Sequence, residues 1–342
     1  MIPSIASIIA FLVTFLLGYK FIPYLKKLHF GQTILEIGPK WHKDKQGTPI
    51  MGGIMFIIGT LVSVIFAFVL ASVVRIDSVE YLRVFTQPNG TISFLAGIVM
   101  ALFMAAIGFM DDYIKAIKKQ NLGLKARQKT VLQALVAACY LLTLYLTGLR
   151  TTYIPFVNHP VSVVSGFGII FWPIAFVFIY GFTNAVNLTD GVDGLASSVT
   201  VVVSLFFMIA SSVMFRFESV VVCAALCGAL IGFLIWNLHP AKVFMGDTGS
   251  MFLGGMAVAM SFYINCPIIL ILAGILYLLE ALSVVIQVAY FKATHGKRLF
   301  KMSPIHHHFE LCGWKENKIV AVFSLVSLIG CVIAFVIIKL TF

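Results

Sequence analysis

The run GIIFWPIAFVFIYGFTNAV, residues 168–186, holds nineteen positions without a charge and leads straight into NLTDGVDG, residues 187–194. A stretch of that length crosses the hydrocarbon of a bilayer as a helix. It ends on Asp190 and Asp193, and carboxylates at the edge of a membrane segment are costly enough to point to function. The same pattern recurs along the chain. Ten spans are read: 3–25, 50–74, 92–110, 130–148, 168–186, 195–214, 219–236, 249–264, 267–290 and 319–341. The eighth and ninth meet at a short turn near Asn265 and Pro267.

Composition agrees. The 342 residues are 61% hydrophobic and 11% charged, and the mean hydropathy is +1.04. That excludes an ordinary soluble domain of this size. The expected fold is an all-α polytopic membrane protein with one integral membrane domain over residues 1–342. No basic residue precedes the first span and no small-residue cleavage site follows it, so it reads as a retained helix rather than a cleavable leader. The polar connections 26–49, 111–129 and 291–318 are too short for a soluble domain. The segment 149–167, with Pro155, Asn158, Pro160 and Gly166 among β-branched residues, suits a hairpin or irregular loop.

A net charge of +11 raises nucleic acid as a partner, but its distribution argues against that. Eighteen basic residues fall in the odd-numbered connections, from Lys26 to Lys45, Lys115 to Lys129, at Lys242, and from Lys292 to Lys318. The even-numbered connections hold only Arg75, Arg83, Arg150 and Arg216. The positive-inside rule then places the odd connections in the cytoplasm and both termini outside. The six cysteines show neither zinc-site spacing nor a disulfide framework.

Five groups of polar residues collect on that cytoplasmic side. In Asp111-Asp112-Tyr-Ile-Lys115, the lysine shares a helical face with either aspartate. The ordinary explanation is a solvated helix end. At a membrane boundary the pair reads instead as a Mg2+ ligand plus a carboxylate able to handle a proton. Asn184, Asn187, Asp190 and Asp193 recur at intervals of three, and Gly191 and Gly194 let the chain turn after them. Such a set suits a metal, a ribose or a nucleobase edge. Interhelical polar packing explains an asparagine or two, but explains two aspartates poorly. Asp247, in Phe244-Met-Gly-Asp247-Thr-Gly-Ser250, opens a helix. It serves either as a simple cap or as a Mg2+ ligand beside amides that favour phosphate. The run lacks the Gly-Lys-Ser/Thr ending of a nucleotide-binding P-loop. His306, His307 and His308, in Pro304-Ile-His306-His307-His308-Phe-Glu310, do not form a zinc-protease motif. They serve as a headgroup-level loop or as imidazole donors to phosphate or sugar. Lys43-Asp-Lys45-Gln-Gly47-Thr48-Pro49-Ile50-Met51-Gly52-Gly53 is a turn into the second span, basic enough to hold an anionic head group. Glu280, inside the ninth span, stays unassigned between a structural carboxyl and part of a polar path.

Taken in order, Gly47-Thr48-Pro49-x-Met51-Gly52-Gly53, Asp111-Asp112-Tyr, Asn184-x-x-Asn187-x-x-Asp190-Gly-x-Asp193-Gly, Phe244-Met-Gly-Asp247-Thr-Gly-Ser and His306-His307-His308-Phe-Glu resemble one family from about residue 40 to 315. It is that of the polyprenyl-phosphate N-acetylhexosamine 1-phosphate transferases. SPIHHHFE, residues 303–310, resembles its phospho-N-acetylmuramoyl-pentapeptide branch rather than the GlcNAc-transferring relatives. The resemblance implies ten transmembrane helices, Mg2+ dependence, a cytoplasm-facing site in the bacterial inner membrane, and a homodimer. It implies transfer of phospho-MurNAc-pentapeptide from UDP-MurNAc-pentapeptide to undecaprenyl phosphate, giving lipid I and UMP in peptidoglycan synthesis.

By position, the resemblance implies that Asp247 is the Mg2+ ligand, with Asp111 a second candidate, and that Asp111 and Asp112 are the catalytic pair. Lys115, His306 and His307 join the catalytic group. Asn184, Asn187, Asp190, Asp193 and His308 belong to the substrate side, and Phe244 offers a face to uracil. Lys43, Thr48, Lys115 and Lys129 border the phosphates. Two departures stand out: Ile50 where the family often has Thr, and Arg127 near a usual lysine. The second leaves Arg127 and Lys129 as alternatives for the basic role. Direct in-line attack by the lipid phosphate, with Asp112 taking a residual proton, competes with a two-step route through an aspartyl phosphate. A sister enzyme using UDP-GlcNAc and a secondary transporter are the rival functions. Transport sites lie near the bilayer midplane, whereas these motifs sit at span ends.

Overall fold

The computed structural model describes residues 1–28, 45, 47–73, 88–118, 123–157 and 159–341. Ten long helices carry the fold: α1 Ile2–Lys27, α2 Gly53–Val73, α3 Pro88–Lys118, α4 Ala126–Leu146, α5 Phe171–Thr189, α6 Leu195–Val213, α7 Phe217–Asn237, α8 Gly246–Tyr263, α9 Ile275–Ala293 and α10 Glu316–Thr341. All but α8 are long and apolar enough to cross a membrane, nine candidate spans among the described residues. The chain is thus a multi-pass membrane protein.

The expected eighth span, α8, falls short on hydropathy for a physical reason. It lies inside the bundle, with every residue from Thr248 to Phe262 buried. A helix that meets only other helices needs small residues more than oily ones. Gly249, Ser250, Gly254, Gly255, Ala257, Ala259 and Ser261 let α2, α3, α5 and α6 close around it. At three of these contacts a methyl group has no room. A Cβ on Gly53 of α2 would lie 2.3 Å from the Gly249 Cα, one on Gly255 would lie 2.7 Å from the Ala101 Cα of α3, and one on Gly108 of α3 would lie 2.1 Å from the Asp247 carbonyl oxygen. The expected ninth span is divided: a 3-10 turn Pro267–Ile269 and a one-turn helix Leu270–Ala273 precede α9, with the break at Gly274.

Successive helices alternate in direction. At one end, Tyr263 donates its hydroxyl to the Phe94 carbonyl, Ser93 pairs with Thr147, and the Tyr153 amide donates to Asn265. These contacts join even-to-odd connections. The segment 149–167 lies there and forms the expected hairpin: β1 Thr151–Thr152 pairs antiparallel with β2 Val161–Ser162. At the other end all five odd-to-even connections converge. Gly52 donates its amide to the Phe244 carbonyl, Phe244 donates to Pro49, and Lys45 reaches both Asp193 and Glu316.

The α3–α8 contact gives a direct test. Gly108→Ala forces backbone apart and should cost about 1–3 kcal/mol, read as a lower thermal midpoint in detergent. Gly181→Ala, on α5 with nothing within 4 Å of the new methyl, should leave the midpoint unchanged or slightly raised.

Candidate active site

The centre of the convergent end is the first turn of α8. Helix N-termini leave amide groups without intrahelical partners. Here a carboxylate from another helix receives them. Asp112 Oδ1 accepts the Asp247 amide at 3.1 Å; Asp112 Oδ2 accepts the Thr248 amide at 2.9 Å and the Thr248 hydroxyl at 2.7 Å. The negative charge also sits where the helix dipole favours it. Gly246 makes the approach possible: its φ is +71°, and a Cβ there would fall 2.5 Å from Asp112 Oδ2.

Asp247 leaves the helix start on the other side. Lys129 Nζ lies 2.9 Å and Lys115 Nζ 3.2 Å from its Oδ2, and Asn187 donates to its Oδ1 at 2.9 Å. The same Asn187 amide donates to Ser250 at 2.8 Å, fixing α5 against α8. Asp111 pairs with Lys115 at 2.6 Å through Oδ2 and accepts the Leu124 amide at 2.8 Å through Oδ1. Gly123 permits that fold-back, since a Cβ there would meet Asp111 Oδ1 at 2.4 Å. Oxygens of Asp111, Asp112 and Asp247 all lie within 4.8 Å of one another. Three carboxylates against two lysines leave surplus negative charge. The donors are all oxygen, and a hard divalent cation such as Mg2+ fits that set.

A second cluster lies beside it. Lys45 Nζ is 2.6 Å from Asp193 and 2.7 Å from Glu316, and His239 Nδ1 is 3.1 Å from Asp193. Asp193 also accepts the Ala241 amide at 3.0 Å. These residues line a cavity of about 580 Å³ together with Thr48, Glu310 and Trp314. Oxygen and nitrogen atoms of Asp193, His239 and Glu316 are close enough for a metal, but the Lys45 ammonium already supplies a cation to both carboxylates.

The three histidines separate in role. His306 is buried and pairs through Nδ1 with Glu280 at 2.9 Å. His307 pairs with Glu310 at 2.6 Å. His308 accepts the Lys301 amide at 3.1 Å and so braces its own loop.

The sequence-based residues thus divide. Asp111, Asp112, Lys115, Lys129, Asn187 and Asp247 form one centre. Thr48 and Asp193 line the neighbouring cavity, and Asp190, a half-buried residue, lies in the turn between α5 and α6. Phe244, half-buried, is held in place by the backbone pairing with Pro49 and Gly52. Asn184 instead exchanges amide hydrogen bonds with Gln133 of α4, at 3.0 and 3.3 Å, and donates to the Tyr180 carbonyl. That is the interhelical packing role. Lys43 lies outside the described residues. Sequence reasoning missed His239 and Glu316, which carry no motif. It also missed Asn237, which donates to the Val243 carbonyl and so anchors the irregular segment before Phe244.

A family model described as glycosyl transferase family 4 matches residues 94–265. The chain is 43% identical over 330 residues to the phospho-N-acetylmuramoyl-pentapeptide-transferase of Clostridium perfringens (strain 13 / Type A), covering 96% of both chains. It is 42% identical to the protein of that name from Listeria monocytogenes serotype 4b (strain CLIP80459), over 95% of each, and 44% identical to that of Clostridioides difficile (strain 630), over 94% of each.

Two outcomes follow from the geometry. Asp112→Ala strands two buried amides and a hydroxyl, and should lower stability by about 1–3 kcal/mol. Lys129→Ala, in the same centre, should leave the thermal midpoint nearly unchanged, because it removes no cap. Burial, reinforced by Asp247, Asp112 and Asp193, pushes the Asp190 carboxyl up to about 8. A raised folded-state value keeps the acid neutral below that pH. Its stabilising contribution is complete below the ordinary carboxylate range and declines as pH rises towards 8. Without added divalent cation, infrared spectra should show a protonated carboxyl band that fades through about pH 8 and is missing from Asp190→Asn.

Proposed function

The chain belongs to glycosyl transferase family 4 and, within the reach of the full-length relatives, to the phospho-N-acetylmuramoyl-pentapeptide transferases; from that premise we propose how its residues carry the reaction. It transfers phospho-MurNAc-pentapeptide from UDP-MurNAc-pentapeptide to undecaprenyl phosphate, giving lipid I and UMP. The observation that carries the site assignment is the Asp247 carboxylate, held by Lys115, Lys129 and Asn187 at the start of a buried helix.

An oxygen of the lipid phosphate attacks the β-phosphorus of the nucleotide sugar. The bond from that phosphorus to the bridging oxygen breaks, and UMP leaves with the electron pair. Both reactants are anionic, so their approach requires fixed positive charge. Lys115 and Lys129 provide it. Mg2+, held by Asp247 with Asp111 as second carboxylate, would supply further charge neutralisation at the phosphate oxygens. Asp112 positions α8 and therefore Asp247. The carboxylate left to accept a residual proton is Asp111; the lipid monoester, with a second pKa of about 6, is already mostly dianionic. Both oxygens of Asp112 are engaged by the Asp247 and Thr248 donors, which disfavours it as the nucleophile of an aspartyl-phosphate route. Asp193, Asp190 and Phe244 face the nucleotide side, with Thr48 towards the phosphates; Lys43 is assigned there on the family resemblance alone. His307 and His308 shape the sugar side, while His306 lies buried behind the Asp190–Asp193 turn.

The odd-numbered connections of the sequence carry eighteen of the twenty-four lysines and arginines, which supports a cytoplasm-facing site and outward termini; the bacterial inner membrane is proposed on the family resemblance. A homodimer is proposed on the family resemblance alone. The site at one end of the bundle, rather than midway along it, disfavours a transporter.

UMP release in detergent, with undecaprenyl phosphate and Mg2+, tests the reading. UDP-MurNAc-pentapeptide should support turnover and UDP-GlcNAc should not; the reverse would move the chain to the sister branch. Chelation should abolish turnover and added Mg2+ restore it. Asp247→Ala should lower kcat by at least about 10²–10³-fold. Recovery of a phosphorylated aspartate after a single turnover would overturn direct transfer.

A further inference from the structure

Glu280 sits in the middle of a membrane-facing helix yet is completely buried, and no motif absorbs it. Its Oε2 lies 2.9 Å from His306 Nδ1, and His306 itself is 1% exposed. A buried carboxylate and a buried imidazole are held together, but neither is fully satisfied. Among the described residues, Glu280 Oε1 and His306 Nε2 have no hydrogen-bond partner. Leaving such atoms bare lowers stability, so the arrangement asks for a reason other than stability.

Its far side supplies one. His306 Nε2 faces Gly191, and a Cβ on that glycine would lie 2.1 Å from Nε2 and 2.6 Å from Cε1. Gly191 does not have positive φ, so its smallness serves space rather than backbone freedom. The imidazole is therefore wedged between Glu280 of α9 and the Asp190–Asp193 turn. One helical face of α9 fixes the approach. Gln287, two turns after Glu280, accepts the amides of Leu299 and Phe300 and donates to the Phe300 carbonyl, holding the loop that delivers His306.

We propose that Glu280 is a positioning residue: by accepting the His306 Nδ1–H it fixes the ring against Gly191, and so sets the turn that carries Asp190 and Asp193. This rests on the assignment of that turn to the nucleotide side. A carboxylate behind an imidazole fixes both the tautomer and the ring direction. With Nδ1–H given to Glu280, Nε2 is the atom directed at the turn.

Three variants in the full-length protein test this, with UMP binding by calorimetry and separate KM values for the nucleotide sugar and the lipid phosphate. Glu280→Gln keeps an acceptor for Nδ1–H and should retain UMP affinity within about threefold. Glu280→Ala frees the ring and should weaken UMP and raise the nucleotide-sugar KM by about tenfold or more, with the lipid KM unchanged. Gly191→Ala displaces the ring from the opposite side and should give the same split. The double variant Glu280→Ala/Gly191→Ala should be little worse than either, since both act through one ring. Equal loss in both KM values, or Glu280→Ala with wild-type UMP affinity, would overturn the proposal. Failure of the wild-type protein to bind UMP would instead overturn the nucleotide-side assignment on which it rests.

Discussion

Everything at the functional end depends on one carboxylate meeting one helix start. Asp112 receives two amides and a hydroxyl from the first turn of α8. Because α8 is surrounded by other helices, Thr248 in that turn is buried, and its amide and hydroxyl must be met by protein. The cap does more than satisfy them. It sets the direction in which Asp247 leaves the helix, and Lys115, Lys129 and Asn187 are arranged around that direction. Two neighbouring aspartates on α3 thereby divide their work: one fixes the scaffold, the other faces the charge.

Much of this was legible beforehand. Long uncharged runs announced the helices, and the lysine bias separated the two ends of the bundle. Asp111, Asp112 and Asp247 stood out because carboxylates beside apolar runs are improbable without purpose; their joint role came from the family resemblance, which set Asn187 on the substrate side. What could not be read was partnership across the fold. Asn184 and Asn187 have the same residue type and lie three positions apart. One meets Gln133 and the other meets Asp247, because the helix turns them towards different neighbours. His239 and Glu316 join Asp193 only because the α7–α8 turn and the start of α10 arrive at one place. Glu280 was conspicuous in sequence, but its role depends on a histidine twenty-six positions away.

The hydropathy of α8 shows the same limit from the other direction. Its small and polar residues make it the least membrane-like of the ten long helices by sequence, yet it is buried among α2, α3, α5 and α6. Lipid rewards oily surface, whereas a helix sheathed by helices is selected for closeness. The carboxylate proposed to hold the metal, Asp247, is carried on a helix buried among the others.

Four glycines press on four chemical groups: Gly108 on the Asp247 backbone, Gly246 on Asp112, Gly123 on Asp111 and Gly191 on His306. Each functional atom is thus walled by a position that admits no larger residue without displacing it. Viewed as an antibacterial target, such a pocket has few routes of escape. A compound that fills the space against these walls confronts positions where a larger side chain would displace the neighbouring group. Further out, Thr48 and Trp314 line the neighbouring cavity without such a glycine wall, although Trp314 is itself packed against Phe309.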